Sequence, residues 1–272
     1  MKKIGLIAGR GKLPLLWSEE AKKRGYKILA FPLVEKTYSL EQIVDRSFSI
    51  NIGNLGKLIQ TMKKQGIKQL IMLGKVEKKQ LFSGFNPDLE MQKVLSGLEN
   101  LSDENILKAV ADRFEEKGIE LLVQSTFLEH LLAEPGFLTT GPDKDLKADM
   151  EFGLEMAREI GRLDIGQTVI VKNKTVLAVE AVEGTDAALK RGGKLGREDV
   201  VMAKASRPHQ DFRFDIPAVG LQTLENLKEV KAGGLVLEAG RTFIIDKKEL
   251  IREAEKSGIS IMAMEVEGNS NG

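Results

Sequence analysis

A chain of 272 residues that is 42% apolar has enough nonpolar side chain for one large core or two of ordinary size. With 41 Lys and Arg against 40 Asp and Glu the formal net charge is +1, which argues against nucleic acid as a partner, because such binding rests on clustered positive charge. The absence of cysteine excludes disulfides, thiolate metal sites and cysteine nucleophiles, and it fits a reducing compartment.

The chain opens on two lysines and a short apolar run. The run stops at Ala8 and Gly9-Arg10-Gly11-Lys12 follows, too soon for a secretion signal, so Lys3–Ala8 reads as a buried first strand. A helix is predicted over Leu13–Arg24, with Pro14 in the first turn, where a missing N–H is tolerated. Strands follow at Lys27–Val34 and Phe48–Ile52, a helix at Leu55–Gln65, and a strand at Gln69–Leu73 ending on Gly74. Helices over Leu89–Leu98 and Glu104–Lys117 lead to a fifth strand, Glu120–Gln124. Alternation of helices with nearly uninterrupted apolar strands predicts a parallel sheet covered on both faces. No stretch approaches the roughly 20 apolar residues of a membrane span.

The rhythm breaks in AEPGFLTTGPDKD, which reads as a linker. A long helix over Leu146–Ile160 then opens a different pattern. Thr168–Lys172 and Thr175–Val182 form a predicted hairpin about Lys172-Asn173-Lys174, and EGTDAALKR opens a helix. Val200–Ala205 is a strand, followed by an irregular segment to Gly220, a helix over Leu221–Val230, strands at Gly234–Leu237 and Thr242–Ile245, and a helix over Lys247–Lys256. Ile259–Val266 is expected to close the sheet. The predicted fold is therefore α/β, with a Rossmann-like N-terminal domain over 1–133, a linker over 134–145 and a C-terminal mixed α/β domain over 146–272.

Gly9, Arg10 and Gly11 lie between a first strand and a helix, where glycines let backbone N–H groups approach a phosphate. Pro14 stands where the third glycine of a dinucleotide fingerprint belongs, and the second strand ends without an acidic residue, so a nicotinamide dehydrogenase is disfavoured. Gly74-Lys75 ends a strand on the same expected sheet edge, and Lys75 is placed to neutralise a phosphate; a solvated lysine is the plain alternative. In the second half Asp164, Glu180, Glu183, Asp186 and Asp215 fall at strand or helix ends. Mg²⁺ takes one or two such carboxylates together with substrate phosphates, although Thr185 or Asp186 equally serves as a helix cap. Asp215 sits between Phe214 and Ile216-Pro217, a context that predicts a buried carboxylate, which must then be hydrogen-bonded, paired or metal-bound. Spacing alone favours a structural aspartate there. Lys204, Arg207, His209 and Arg213 are expected around it. The two histidines exclude a histidine-rich metal site, His130 reads as packed on a helix, and Ser206 with His209 is weak evidence for a triad.

Several phrases taken together resemble one family: GLIAGRGKLP at Gly5–Pro14, AREIGRLDIGQ at Ala157–Gln167, AVEAVEGTDA at Ala178–Ala187, AKASRPHQDFRFDIPAVG at Ala203–Gly220 and EAGRTFIID at Glu238–Asp246. They are similar to the UDP-2,3-diacylglucosamine pyrophosphatases of lipid A synthesis, of the type that replaces the calcineurin-like phosphoesterase in many Gram-negative bacteria. The resemblance covers nearly the whole chain except Gln80–Leu98. It implies a cytoplasmic two-domain hydrolase that holds its substrate, a UDP-linked diacylated glucosamine, between the domains. The implied products are UMP and the diacylated glucosamine 1-phosphate, with Mg²⁺ or another divalent cation required and water attacking the sugar-side phosphorus. The aspartate needed for activity matches Asp215, which with Asp186 is the expected metal carboxylate. Gln167, Thr185, Asp186, Lys204 and Gln210 are expected substrate contacts beside the Gly9, Arg10, Gly11, Gly74 and Lys75 edge. Without a membrane span, peripheral association at the inner membrane surface and a homodimer are the expected placements. Phe82, Phe85, Phe127, Leu128 and Leu131 are candidates for an acyl-chain groove, with plain core as the alternative for each. A non-catalytic sugar-nucleotide or lipid sensor is the alternative function.

Overall fold

The structure is a computed structural model that describes residues 2–33, 38–51, 53–75, 86–98 and 100–265. The chain divides into two compact units, Met1–Glu129 with Asp211–Asp215, and His130–Gln210 with Ile216–Gly272.

The first unit runs β1 (Lys3–Ala8), α1 (Leu13–Lys23), β2 (Lys27–Pro32), α2 (Tyr38–Glu41), β3 (Arg46–Ser47), α3 (Leu55–Gln65), β4 (Gln69–Leu73), α4 (Leu89–Ser96), α5 (Asp103–Glu116) and β5 (Glu120–Leu121). Its five strands are parallel in the order β3-β2-β1-β4-β5. Ile4, Leu6, Ile28, Ala30, Leu70 and Ile71 are almost wholly buried, because helices cover both faces, as the continuous apolar runs predict. Each such aliphatic side chain contributes about 1.5–3 kcal/mol when fully buried. The outer strands differ from expectation. The strand expected at Phe48–Ile52 is not found among the described residues 48–51; the chain pairs with β2 just before it, at Arg46–Ser47, and the pairing ends where Phe48 N donates to Ala30 O. β5 stops at Leu121 because the chain turns there and Gln124 N donates to Phe212 O at 2.7 Å.

In the second unit β6 (Gly136–Phe137) precedes α6 (Lys144–Arg162). β7 (Thr168–Lys172), β8 (Thr175–Val179), α7 (Thr185–Gly196), β9 (Val201–Lys204), β10 (Ala218–Val219) and α8 (Leu221–Glu229) follow. β11 (Gly234–Glu238), β12 (Phe243–Ile244), α9 (Lys247–Lys256) and β13 (Ser260–Met264) complete it. The main sheet is mixed, in the order β6-β13-β11-β9-β7-β8, and β10 pairs β12 in a separate parallel pair. α6 covers one face, where Met150 and Leu154 meet Val169, Val201 and Val236. The other face buries Ile170, Met202 and Leu235 with Leu189, Leu224 and Leu250. The predicted hairpin turns on Asn173 and Lys174, at φ 50° and 51°, the double left-handed geometry that suits strand twist. Asp149 accepts both of their amides at 2.7 Å. The stretch read as a linker supplies β6, which pairs antiparallel with β13, so β13 is not the sheet edge that was expected.

Candidate active site

The strand order of the first sheet reverses between β1 and β4, the position where open α/β sheets bind ligands beyond the strand ends. The two loops there are joined. Gly9 N donates to Leu73 O, and Arg10 and Lys75 exchange N–H to carbonyl bonds in both directions, each bond 2.8 Å long. This brings together Gly9, Arg10, Gly74 and Lys75. It also commits the amides of Gly9, Arg10 and Lys75 within the protein, so those three N–H groups are not the phosphate cradle that the glycine spacing predicts. The side chains of Arg10 and Lys75 are exposed, and Gly11 turns at φ +103° just before α1.

In the second unit the end of β9 delivers Lys204, 8% exposed, into a hydroxyl cluster. Its Nζ lies 3.3 Å from Thr168 Oγ1 and 3.2 Å from Thr185 Oγ1, and Thr185 Oγ1 donates to Glu180 Oε1 at 2.6 Å. Gln167 lies beside them: its carbonyl accepts from Ala205 N, and its amide is 3.4 Å from Glu180 Oε2. Thr185 is also the first residue of α7, whose N-terminus has no side-chain cap. An ammonium and the positive end of a helix, both of which favour an anion, therefore lie together, and the Glu180 carboxylate already takes the Thr185 hydroxyl beside them. Asp186, in the same first turn, is exposed, and its Oδ1 accepts from Asn226 Nδ2 at 2.8 Å. The helix-cap alternative for Thr185 and Asp186 therefore fails, since neither side chain caps α7.

A network that the sequence reading missed lies at the end of the neighbouring strand. Glu238, 2% exposed, accepts from Ser206 N and Ser206 Oγ at 2.7 Å each, and Arg241 Nε donates to Ser206 Oγ at 2.5 Å. The signal was an acidic residue closing the apolar run GLVLE. Ser206 Oγ is thereby engaged away from His209, which is exposed, so no triad forms from that pair. Gln210 Oε1 accepts from Arg207 N at 2.8 Å, and Arg207 Nε pairs with Asp164 at 3.1 Å.

Asp215 is exposed, against the expectation of a buried carboxylate. Phe214 packs on the first unit's core and Ile216 and Pro217 are buried, so the apolar neighbours turn inward while Asp215 stays exposed. Arg213 is held by other acids: its Nη1 is 2.7 Å from Glu115, and its Nη2 is 2.6 Å from Asp211. The Asp211 hydrogen bond, followed by that of Glu115, raises the Arg213 pKa. Burial would raise the Asp211 pKa, but the hydrogen bonds from Arg213 outweigh it and hold that carboxyl below its ordinary value.

Among the described residues no three His, Asp or Glu side chains are grouped to hold a metal ion. Asp215 and Asp186 are each an exposed carboxylate, which fits a hard cation that takes one carboxylate and completes its shell with phosphate oxygens and water. Of the groove candidates, Phe82 and Phe85 lie outside the described residues. Leu128 and Leu131 are buried core. Phe127 is half-buried, stacked on Trp17 at 6.1 Å with Arg24 5.0 Å over its ring. His130 is exposed in a single 3₁₀ turn over Glu129–Leu131, where the sequence reading packed it on a helix.

The family described as LpxI N-terminal domain matches residues 3–131, and LpxI C-terminal domain matches residues 134–262. UDP-2,3-diacylglucosamine pyrophosphatase LpxI of Caulobacter vibrioides is 33% identical over 279 residues, covering 97% of this chain and 98% of that protein. Among solved structures, N5-carboxyaminoimidazole ribonucleotide synthetase from Thermotoga maritima is 17% identical over 67% of this chain and 42% of that one, with a TM-score of 0.26. L-amino acid ligase from Bacillus licheniformis is 13% identical over 67% of this chain and 40% of that one, at 0.29. The likeness covers less than half of either longer structure, and at these scores it places no site on this chain.

Proposed function

The chain belongs to the LpxI family, and from that premise we propose that it hydrolyses the diphosphate of UDP-2,3-diacylglucosamine to UMP and 2,3-diacylglucosamine 1-phosphate in lipid A biosynthesis. The observation that carries this reading is similarity over 97% of the chain to an enzyme named for that pyrophosphatase activity. The site residues are in keeping with it. A diphosphate needs its charge offset, and the Lys204 ammonium beside the uncapped start of α7 is suited to a phosphate oxygen, with Thr185 and Gln167 alongside. Arg10 and Lys75 are exposed cations for the nucleotide end, and Gln210 is a further polar contact. Asp215 is the carboxylate that orients the attacking water toward the sugar-side phosphorus. Asp215 and Asp186 are also the residues that would hold Mg²⁺ or another divalent cation, which when bound neutralises charge on the diphosphate.

The substrate's acyl chains call for peripheral association with the inner membrane surface from the cytoplasm, since among the described residues no helix is long and apolar enough to cross a membrane. A homodimer completes the proposal. The deciding experiment incubates the purified protein with UDP-2,3-diacylglucosamine in ¹⁸O-water, with Mg²⁺ and with chelator. The expected result is Mg²⁺-dependent UMP release with the label in the sugar 1-phosphate. Binding without turnover under all conditions would favour a sensor, and label in UMP would mean attack on the other phosphorus.

A further inference from the structure

We propose that Arg213 is a positioning residue that fixes Asp215 for the reaction, an inference that rests on the role given to Asp215 above. Asp211–Asp215 belongs to the first unit although the chain on both sides belongs to the second, so a few side-chain bonds must set its conformation. Arg213 makes several of them. Its Nε lies 3.0 Å from each Asp211 carboxylate oxygen, and its Nη2 lies 2.6 Å from one of them. Its Nη1 reaches Glu115 at 2.7 Å, and Nη2 lies 3.5 Å from Asp112. Glu115 and Asp112 both lie on α5, so one guanidinium ties the turn to that helix.

The turn closes on the catalytic candidate itself. Asp211 Oδ1 accepts the Arg213 amide at 3.0 Å, and the Asp211 carbonyl accepts the Asp215 amide at 3.1 Å. Asp215 is thus the last residue of a turn whose first residue is clamped by Arg213. The bond from Gln124 N to Phe212 O, that from Phe214 N to Asp211 O at 3.2 Å and the packing of Phe214 also seat the segment. Three carboxylates already face the guanidinium, so the cluster as a whole is negative and does not attract a phosphate. The planar fork meets Asp211 in a way that a lysine ammonium does not reproduce.

The test is a double-mutant cycle, with Arg213→Lys and Arg213→Met each made in the wild-type and the Asp215→Asn backgrounds, reading kcat, KM and thermal unfolding. In the wild-type background kcat is expected to fall about 10-fold for Lys and about 100-fold for Met, with KM moving less than about 3-fold, as for a reacting group displaced by an ångström or so. In the Asp215→Asn background the same substitutions are expected to cost no more than about 2-fold, because the group they position is gone. Equal losses in both backgrounds, an unchanged kcat, or a loss confined to KM would overturn the proposal. Should Arg213→Met fail to fold, Arg213→Lys and Glu115→Gln carry the same cycle. An Asp215→Asn single variant with wild-type turnover would instead sink the role of Asp215 itself, visible before the cycle is closed.

Discussion

Gly9 and Gly74 exclude each other's side chains. A Cβ on Gly9 would lie 2.7 Å from the carbonyl carbon of Gly74, and a Cβ on Gly74 would lie 2.7 Å from Arg10 O and 2.8 Å from the carbonyl carbon of Gly9. The obstacles are backbone on both sides, so no rotamer change relieves them. Gly74 also sits at φ +92°, which L side chains rarely adopt. Gly74→Ala is therefore expected to destabilise the first unit by on the order of 2–3 kcal/mol, read by urea unfolding, and to part the Arg10–Lys75 pairing. A variant as stable as wild type would mean that the two loops separate at no cost.

That pairing also marks how far the sequence reaches. The strands β1, β2 and β4 were legible because they are buried on both faces and read as unbroken apolar runs, and Gly74 followed from the end of one of them. The mutual bonds of Arg10 and Lys75 were not legible, since 65 residues of chain separate them and no local pattern encodes their meeting. Two-residue strands such as β6 carry no periodicity at all; Gly136 and Phe137 are exposed and are strands only through pairing with β13. Asp215 misled because the burial of its neighbours was extended to it, whereas a tight turn sends alternate side chains opposite ways. The return of Asp211–Asp215 to the first unit is a tertiary choice, made by Arg213 and Phe214 with residues about 100 positions earlier.

Asp215→Asn separates chemistry from stability. The side chain is exposed, so its replacement is expected to change unfolding free energy by no more than about 0.5 kcal/mol. Loss of one charge-stabilising or water-orienting carboxylate is expected to lower kcat on the order of 10²-fold or more. Turnover and thermal melting on the same preparation check both halves. A lowered melting temperature accompanied by loss of substrate binding would return Asp215 to a structural role.

Lys204→Met tests the proposed phosphate contact. The ammonium is nearly buried against Thr168 and Thr185, and methionine has similar length without the charge. A hydrogen bond to a charged group is worth about 1.5–3 kcal/mol, so affinity for a UDP-sugar should weaken by at least about 10-fold. UMP alone and the intact substrate, titrated calorimetrically, would show which phosphate is concerned. Unchanged affinity for both would remove Lys204 from the binding site.

Acid should loosen the first unit through carboxylates that the fold holds low, Asp211 and Glu20 among them with Asp45 and Glu90. Asp211 is held below its ordinary value because hydrogen bonds from Arg213 outweigh its burial, and Glu20 is lowered to about 2 by hydrogen bonds from Lys23 and then Arg24. A carboxylate whose folded pKa lies below its unfolded one binds fewer protons in the folded state. It therefore adds stability above the unfolded value, about 4, and loses that stability as pH falls through the folded value. The expected outcome is a melting temperature flat from pH 7 to about 5 that declines between pH 4.5 and 2. Asp211→Asn should lie below wild type at neutral pH and converge with it at pH 2, because only the wild type has that stability to lose. Turnover measured across the same range adds a second reading: if the Asp211–Arg213 clamp holds Asp215 in place, activity lost at low pH should return on neutralisation together with the melting temperature. Parallel melting curves for the two proteins down to pH 2 would show that Asp211 has the same affinity for protons folded and unfolded, and would leave the acid limb to other carboxylates.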